Sequence, residues 1–309
     1  MLRESERWVH VPPSGTLDED ADRLLVYLPG PRGTSRVWRS RPGSGGAEAL
    51  ILRTIEEARG AGASRIVWHT GDGVSSPSMD DLLPRHGFEK TKDLEVLAFE
   101  MGAKAEPELP MLRVRAGVGT RLVANEADLR RANAVEGDVF PLTVWSEPDA
   151  RAYLRGLWRL DGRRGRLHPF LADVPLALRY LAFLPGNDKG EERAVATAGA
   201  EVAGETVRLW GAGTLAEPRG RGAYGALVME RSRHAHALGA TLVLAKANAS
   251  SSAPILRRAG FRLVARERRY ASEITTPLVP DPDGRADTLD QHKPKFVLYA
   301  VTKEDSHFG

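Results

Sequence analysis

An α/β fold built twice along one chain is what this sequence predicts, and three observations carry that. Apolar strand-like runs alternate with helical stretches throughout. The order of these runs repeats: Gly62-Ala63-Ser64-Arg65-Ile66-Val67-Trp68 echoes Gly239-Ala240-Thr241-Leu242-Val243-Leu244-Ala245, His86-Gly87-Phe88 echoes Ala259-Gly260-Phe261, and Val96–Phe99 echoes Val297–Ala300. In the second copy an Arg/Gly loop, Leu215–Leu227, joins a strand end to a helix start.

The first unit covers 1–101. Leu24–Leu28 and Ser35–Trp38 read as strands joined by a Pro-Gly-Pro-Arg-Gly turn. Ala47, Leu50, Ile51, Thr54, Ile55 and Ala58 follow at helical spacing, and Gly60 and Gly62 stop that helix. Arg65–His69 is the next strand, Met79–Arg85 a helix, and Leu94–Glu100 the last strand.

Residues 102–118 form a charged linker punctuated by Pro107 and Pro110. The second unit, 119–309, opens with a strand at Arg121–Ala124. Asn125 or Glu126 caps a helix through Leu129, Ala132 and Val135, and another helix follows Glu147-Pro148. Arg179–Leu184 gives a strand, and Ala194–Val202 with Thr206–Leu215 gives an antiparallel pair turned at Ala203-Gly204. After the loop, Tyr224, Leu227, Val228, Ala235 and Leu238 mark a helix, and Leu242–Leu244 the following strand.

Glycines let the loop turn tightly, and the first amides of the helix lack partners of their own. With the helix dipole, Arg219 and Arg221, they make a seat for a pyrophosphate. Arg219-x-x-Gly222-x-Tyr224-Gly225 resembles the acyl-CoA pyrophosphate loop of the GNAT superfamily of N-acyltransferases, with Tyr224 where Gly or Ala is usual. The flanks agree, because Asn248 and then Pro254–Phe261 are similar to the family's helix ending in Gly-Phe.

The resemblance implies an α/β (α+β) fold of two tandem units, each a mixed, mostly antiparallel sheet flanked by helices. It assigns acyl-CoA, with acetyl-CoA as the default, to Thr214, Leu215, Arg219, Gly220, Arg221, Gly222, Ala223, Tyr224, Gly225 and Asn248. Gly213-Thr214-Leu215 would offer backbone groups to the pantetheine arm and the thioester oxygen. The two helices after 125 would lie over the acceptor pocket. The first unit is abbreviated and its loop degenerate: Arg41 stands for Arg219, but Ser44 replaces Gly222, which favours a scaffold.

Acyl transfer to an amine needs a group that takes its proton. The family often places Glu or Asp on the strand before the loop, where this chain has Arg208, and a Tyr four residues before Gly-Phe, where it has Leu256. Glu201 is the candidate nearest the expected place. Glu205, Ser250–Ser252, Tyr224 and Tyr270 are the others.

Composition bounds the rest. The 309 residues are 42% hydrophobic and 28% charged with net charge +3, as in soluble globular proteins, and no cysteine provides a disulfide, a thiolate metal site or a nucleophile. His234-Ala235-His236 on a helix points its rings apart, which is poor for a metal. There is no P-loop and no apolar run of membrane-spanning length, and a cytoplasmic location is the expectation. The expected activity is acyl transfer from acetyl-CoA to a small-molecule amine. Two alternatives stay open: an aminoacyl-tRNA-dependent transferase using the arginines at 151, 155, 159, 163, 164 and 166, and a non-catalytic CoA-binding protein.

Overall fold

A computed structural model describes residues 8, 9, 11, 14–29, 33–43, 46–103, 106–140, 147–157, 160, 175–186 and 191–274, which belong to one compact unit. The strands are β1 (Thr16–Glu19), β2 (Arg23–Leu28), β3 (Thr34–Ser40), β4 (Arg65–Gly71), β5 (Glu89–Glu100), β6 (Gly119–Leu122), β7 (Leu176–Pro185), β8 (Glu192–Ala203), β9 (Thr206–Thr214), β10 (Leu242–Asn248) and β11 (Arg262–Glu273). The helices are α1 (Gly46–Gly60), α2 (Met79–Arg85), α3 (Glu126–Val139), α4 (Glu147–Gly156), α5 (Ala223–Ala237) and α6 (Ser252–Arg258).

Among the described residues eleven strands share one sheet in the order β1-β2-β3-β4-β11-β5-β10-β9-β8-β7-β6. Only β3·β4 and β9·β10 are parallel, because each pair is joined through a helix, α1 or α5, and a strand–helix–strand crossover returns the chain in the same direction. The remaining neighbours are antiparallel.

The two halves expected from the sequence are not two sheets side by side. The last strand of the first half, β5, pairs with β10 and β11 of the second, and β11 pairs with β4 and β5 of the first. The pattern β4-β11-β5-β10 is therefore reciprocal. Phe88 and Phe261 each lead directly into their strand, which makes β11 the counterpart of β5. The segment 297–300, matched to Val96–Phe99 from sequence, lies outside the described residues.

In the second half, side chains alternate across the sheet as the pleat demands. Leu178, Tyr180 and Ala182 of β7 face α5 and α6 in the main core, while Leu181 and Phe183 face α3 and α4 together with Leu129, Ala132 and Tyr153. Asn125 caps α3 by accepting from the Asp128 amide at 2.9 Å. In the first half α1 and α2 cover Leu25, Val37, Ile66 and Trp68.

Candidate functional site

The site is built where a parallel pair comes apart. β9 and β10 are paired from Thr206↔Leu242 to Leu209↔Ala245, and β9 then runs on to Thr214 and β10 to Asn248 with no further pairing between them. On its other side β9 carries a bulge against β8: Gly199 partners Trp210 and Thr197 partners Gly213. Gly211 sits in this bulge at φ +56°, a left-handed angle that suits glycine. Glycines at 211 and 213 inside a strand pattern are the sequence signal for such a bulge.

Beyond Thr214 the loop turns into α5. Gly222 caps the helix at φ +91°, and the first intrahelical bond runs from Ala226 N to Gly222 O at 2.9 Å. The amides of Gly222, Ala223, Tyr224 and Gly225 donate to none of the described residues. Four unpaired N–H groups at the positive end of a helix dipole suit a phosphate. Arg219 folds back to donate from Nε to the Thr214 carbonyl at 3.3 Å, and Arg221 lies 3.7 Å from Glu217. Burial raises the Tyr224 hydroxyl, and the Ser252 hydroxyl at the start of α6 instead accepts from the Asn248 amide at 2.9 Å. Asn248 shapes the turn before α6, accepting from the Ser250 amide at 2.9 Å and its hydroxyl at 2.7 Å.

The linker passes over this loop, which the sequence did not foretell. A Cβ on Gly222 would lie 2.9 Å from the Arg113 carbonyl oxygen and 3.0 Å from the Arg115 amide, and one on Gly225 would lie 3.1 Å from the same carbonyl. The two glycines admit the linker backbone as well as leaving the amides bare.

The corresponding place in the first half is closed. β3 and β4 pair from Thr34↔Arg65 to Val37↔Trp68, but Ser40 then bridges to Ser75, its amide donating to the Val74 carbonyl at 2.8 Å and its hydroxyl accepting from Trp68 Nε1 at 3.1 Å. The Gly43 amide is taken by the Asp22 carboxylate at 2.9 Å, and Arg41 donates to the Gly73 carbonyl. Ser44 is outside the described residues.

On the face of β8 and β9 away from α5, Glu201 and Arg208 are cross-strand partners with an ion pair at 2.9 Å. Burial pushes the Glu201 carboxyl up against the opposing pull of Arg208. The indole of Trp210 lies flat against Gly199, where a Cβ would stand 2.3 Å from a ring carbon. Farther along this face, Lys246 of β10 reaches Glu267 of β11 at 2.9 Å, and His69 Nδ1 stands 3.8 Å from the same carboxylate. Burial holds His69 down at about 4, stacked on Trp38. Leu256, at the place of the family's tyrosine, is core, and Tyr270 packs in the first half's core.

Among the described residues no group of side chains could hold a metal, and no helix is long and apolar enough to cross a membrane. His234 instead accepts or donates at Nδ1 with the Tyr180 hydroxyl at 2.7 Å. The sequence reading also passed over Arg231, an arginine at i+4 from Leu227 inside an otherwise apolar stripe of α5.

No protein-family model matches the chain, and no curated protein matches it. Solved structures do. A GCN5-related N-acetyltransferase from Kribbella flavida aligns at TM-score 0.53 and 22% identity over 88% of this chain and 91% of its own. One from Sphaerobacter thermophilus aligns at 0.56 and 18% over 87% and 84%. A tandem GNAT protein from the clavulanic acid biosynthesis pathway aligns at 0.52 and 14% over 85% of each chain. The chain has the GNAT fold, in the tandem form.

Proposed function

We propose that this chain is an acyl-CoA-dependent N-acyltransferase that uses acetyl-CoA as donor and the amine of a small molecule as acceptor. The observation that carries the reading is the contrast between the halves. In the second, β9 and β10 part beside a helix start with bare amides, while in the first the equivalent gap is closed by Ser40 and Val74. The unpaired amides and the left-handed Gly222 fit a pyrophosphate.

On this reading residues 1–101 are the abbreviated scaffold unit, and the unit from 119 onward holds the site. Arg219, Gly220, Arg221, Gly222, Ala223, Tyr224 and Gly225 would hold the phosphates, with Thr214, Leu215 and Asn248 lining the gap. Bound there, the donor supplies an activated acyl thioester. Glu201 accepts the proton of the incoming amine, with a carboxyl raised by burial and steadied by Arg208.

The test is calorimetry of the purified chain with acetyl-CoA, CoA and bulk aminoacyl-tRNA at two salt concentrations. Acetyl-CoA binding that Gly222→Asp abolishes supports the reading. Steeply salt-sensitive tRNA binding without acetyl-CoA binding replaces it with an aminoacyl-tRNA-dependent transferase. Arg151 and Arg155 are exposed on α4 for such a contact, and Arg159, Arg163, Arg164 and Arg166 lie outside the described residues.

A further inference from the structure

Resting on the acyl-CoA reading, we propose that Arg231 is a positioning residue for the acyl carbonyl: from within α5 it fixes the Trp210–Gly211 peptide so that the Gly211 N–H is presented on the far face of the sheet, at the opening of the β9–β10 gap.

Arg231 is 1% exposed and has no carboxylate partner among the described residues. Burying a cation without a counter-ion is expensive, so the fold must hold it with other acceptors. Burial draws the guanidinium down to about 10, which leaves it charged at neutral pH. Its acceptors are main-chain carbonyls: Leu227 O at 2.9 Å, Gly199 O at 2.7 Å and Trp210 O at 3.4 Å.

Two of those carbonyls belong to the residue pair that bounds the bulge. The bulge is clamped from both faces, by the Trp210 indole lying on Gly199 and by the guanidinium beneath. Gly211 itself has nothing within 4 Å of a would-be Cβ, so glycine serves its φ of +56° there and not a lack of room. No cis peptide occurs among the described residues, and across a trans peptide C=O and N–H point in opposite directions. With the Trp210 carbonyl held toward α5, the Gly211 N–H points away from it. Gly211 is exposed, two residues past the last β9–β10 pair. A cation on the carbonyl also polarises the peptide and strengthens its N–H as a donor. A backbone donor fixed in advance is the device that stabilises charge developing on a carbonyl oxygen.

The experiment compares the wild type with Arg231→Met, Arg231→Lys and Gly211→Ala. Calorimetry gives the affinity for acetyl-CoA, infrared spectroscopy of carbonyl-labelled acetyl-CoA gives the thioester stretch when bound, and thiol release gives the slow hydrolysis without an amine. In the wild type the stretch should fall on binding. Arg231→Met should keep the affinity, lose that fall, and hydrolyse roughly 10²-fold more slowly. Arg231→Lys, which keeps the charge, should restore part of the shift. Gly211→Ala has room for its methyl group but not for the left-handed angle, so it should reproduce the loss with the cation intact and serve if Arg231→Met does not fold. Unchanged stretch in Arg231→Met and Gly211→Ala overturns the role of Arg231 alone. Absence of acetyl-CoA binding by the wild type overturns the acyl-CoA reading and this inference with it.

Discussion

Glu201 and Arg208 face each other across the β8–β9 ladder and are joined by an ion pair at 2.9 Å. The strand before the loop lacks a carboxylate because Arg208 occupies that position, yet one stands directly opposite on the neighbouring strand. Replacing Glu201 by Gln keeps the shape and one acceptor but removes the proposed base. The expected result is a loss of roughly 10²–10⁴ in turnover with unchanged CoA affinity. The acid limb of the wild-type rate profile should also lie above the ordinary glutamate range, because burial raises this carboxyl and the base must be unprotonated. Full turnover in Glu201→Gln, measured by thiol release over a panel of amines, removes Glu201 from the mechanism.

Gly220 and Gly222 make a contrasting pair. Both have left-handed φ, +79° and +91°, but only Gly222 has linker atoms within 3 Å of a would-be Cβ. Gly220→Ala should therefore cost only the backbone penalty of roughly 1–2 kcal/mol. Gly222→Ala must also push the Arg113–Arg115 backbone aside, and should cost clearly more. Urea midpoints measure the difference, and equal midpoints would show that the linker does not rest on this loop.

The buried His69 ties stability to pH. Its ordinary value of 6.5 falls to about 4 in the fold, chiefly through burial and against the pull of Glu267, while Lys246 and Arg36 add to the fall. The folded chain therefore binds this proton less readily than the unfolded one. Stability from this site is complete above pH 6.5 and declines as the pH falls toward 4, by roughly 3 kcal/mol in all. Glu267 is held below the usual range by Lys246 and His69, so its own loss comes at lower pH. His69→Phe keeps a ring against Trp38 and removes the titration. Urea unfolding between pH 6.5 and 4 should then show a flatter profile, and an unchanged slope would assign the acid sensitivity elsewhere.

Local order was readable from the sequence because it depends on local chemistry. The stripe Leu50, Ile51, Thr54 and Ala58 is the buried face of α1, Asn125 does cap α3, and the turn expected at Ala203-Gly204 falls one residue later, at Gly204-Glu205, because Ala203 still pairs with Thr206. The loop before α5 was legible because Gly220 and Gly222, both at left-handed φ, let the chain turn into the helix there. Arg231 and Glu201 were harder. A charge inside an apolar stripe becomes informative only once its acceptors, Gly199 and Trp210, are known to lie beneath it. Glu201 could be set opposite Arg208 only through the β8–β9 register. The exchange of β5 and β11 was invisible for the same reason: alternating apolar patterns say which residues are buried, not which strand lies alongside.

That exchange yields the last prediction. β5 lies between β10 and β11, and Leu97 at its centre packs in the main core of the second half beside Ala245. Without β5, both β10 and β11 would present an unpaired edge and the core would lose Leu97 and Met101, each almost fully buried. The first half depends on β11 in the same way, through Tyr270 against Trp68. A chain of residues 102–309 alone should therefore fail to give a cooperative unfolding transition or bind CoA. Co-expressed with residues 1–101, it should be recovered as a complex that does both. A soluble 102–309 fragment that unfolds cooperatively would show that the second half closes its own sheet, and that the borrowed strand is dispensable.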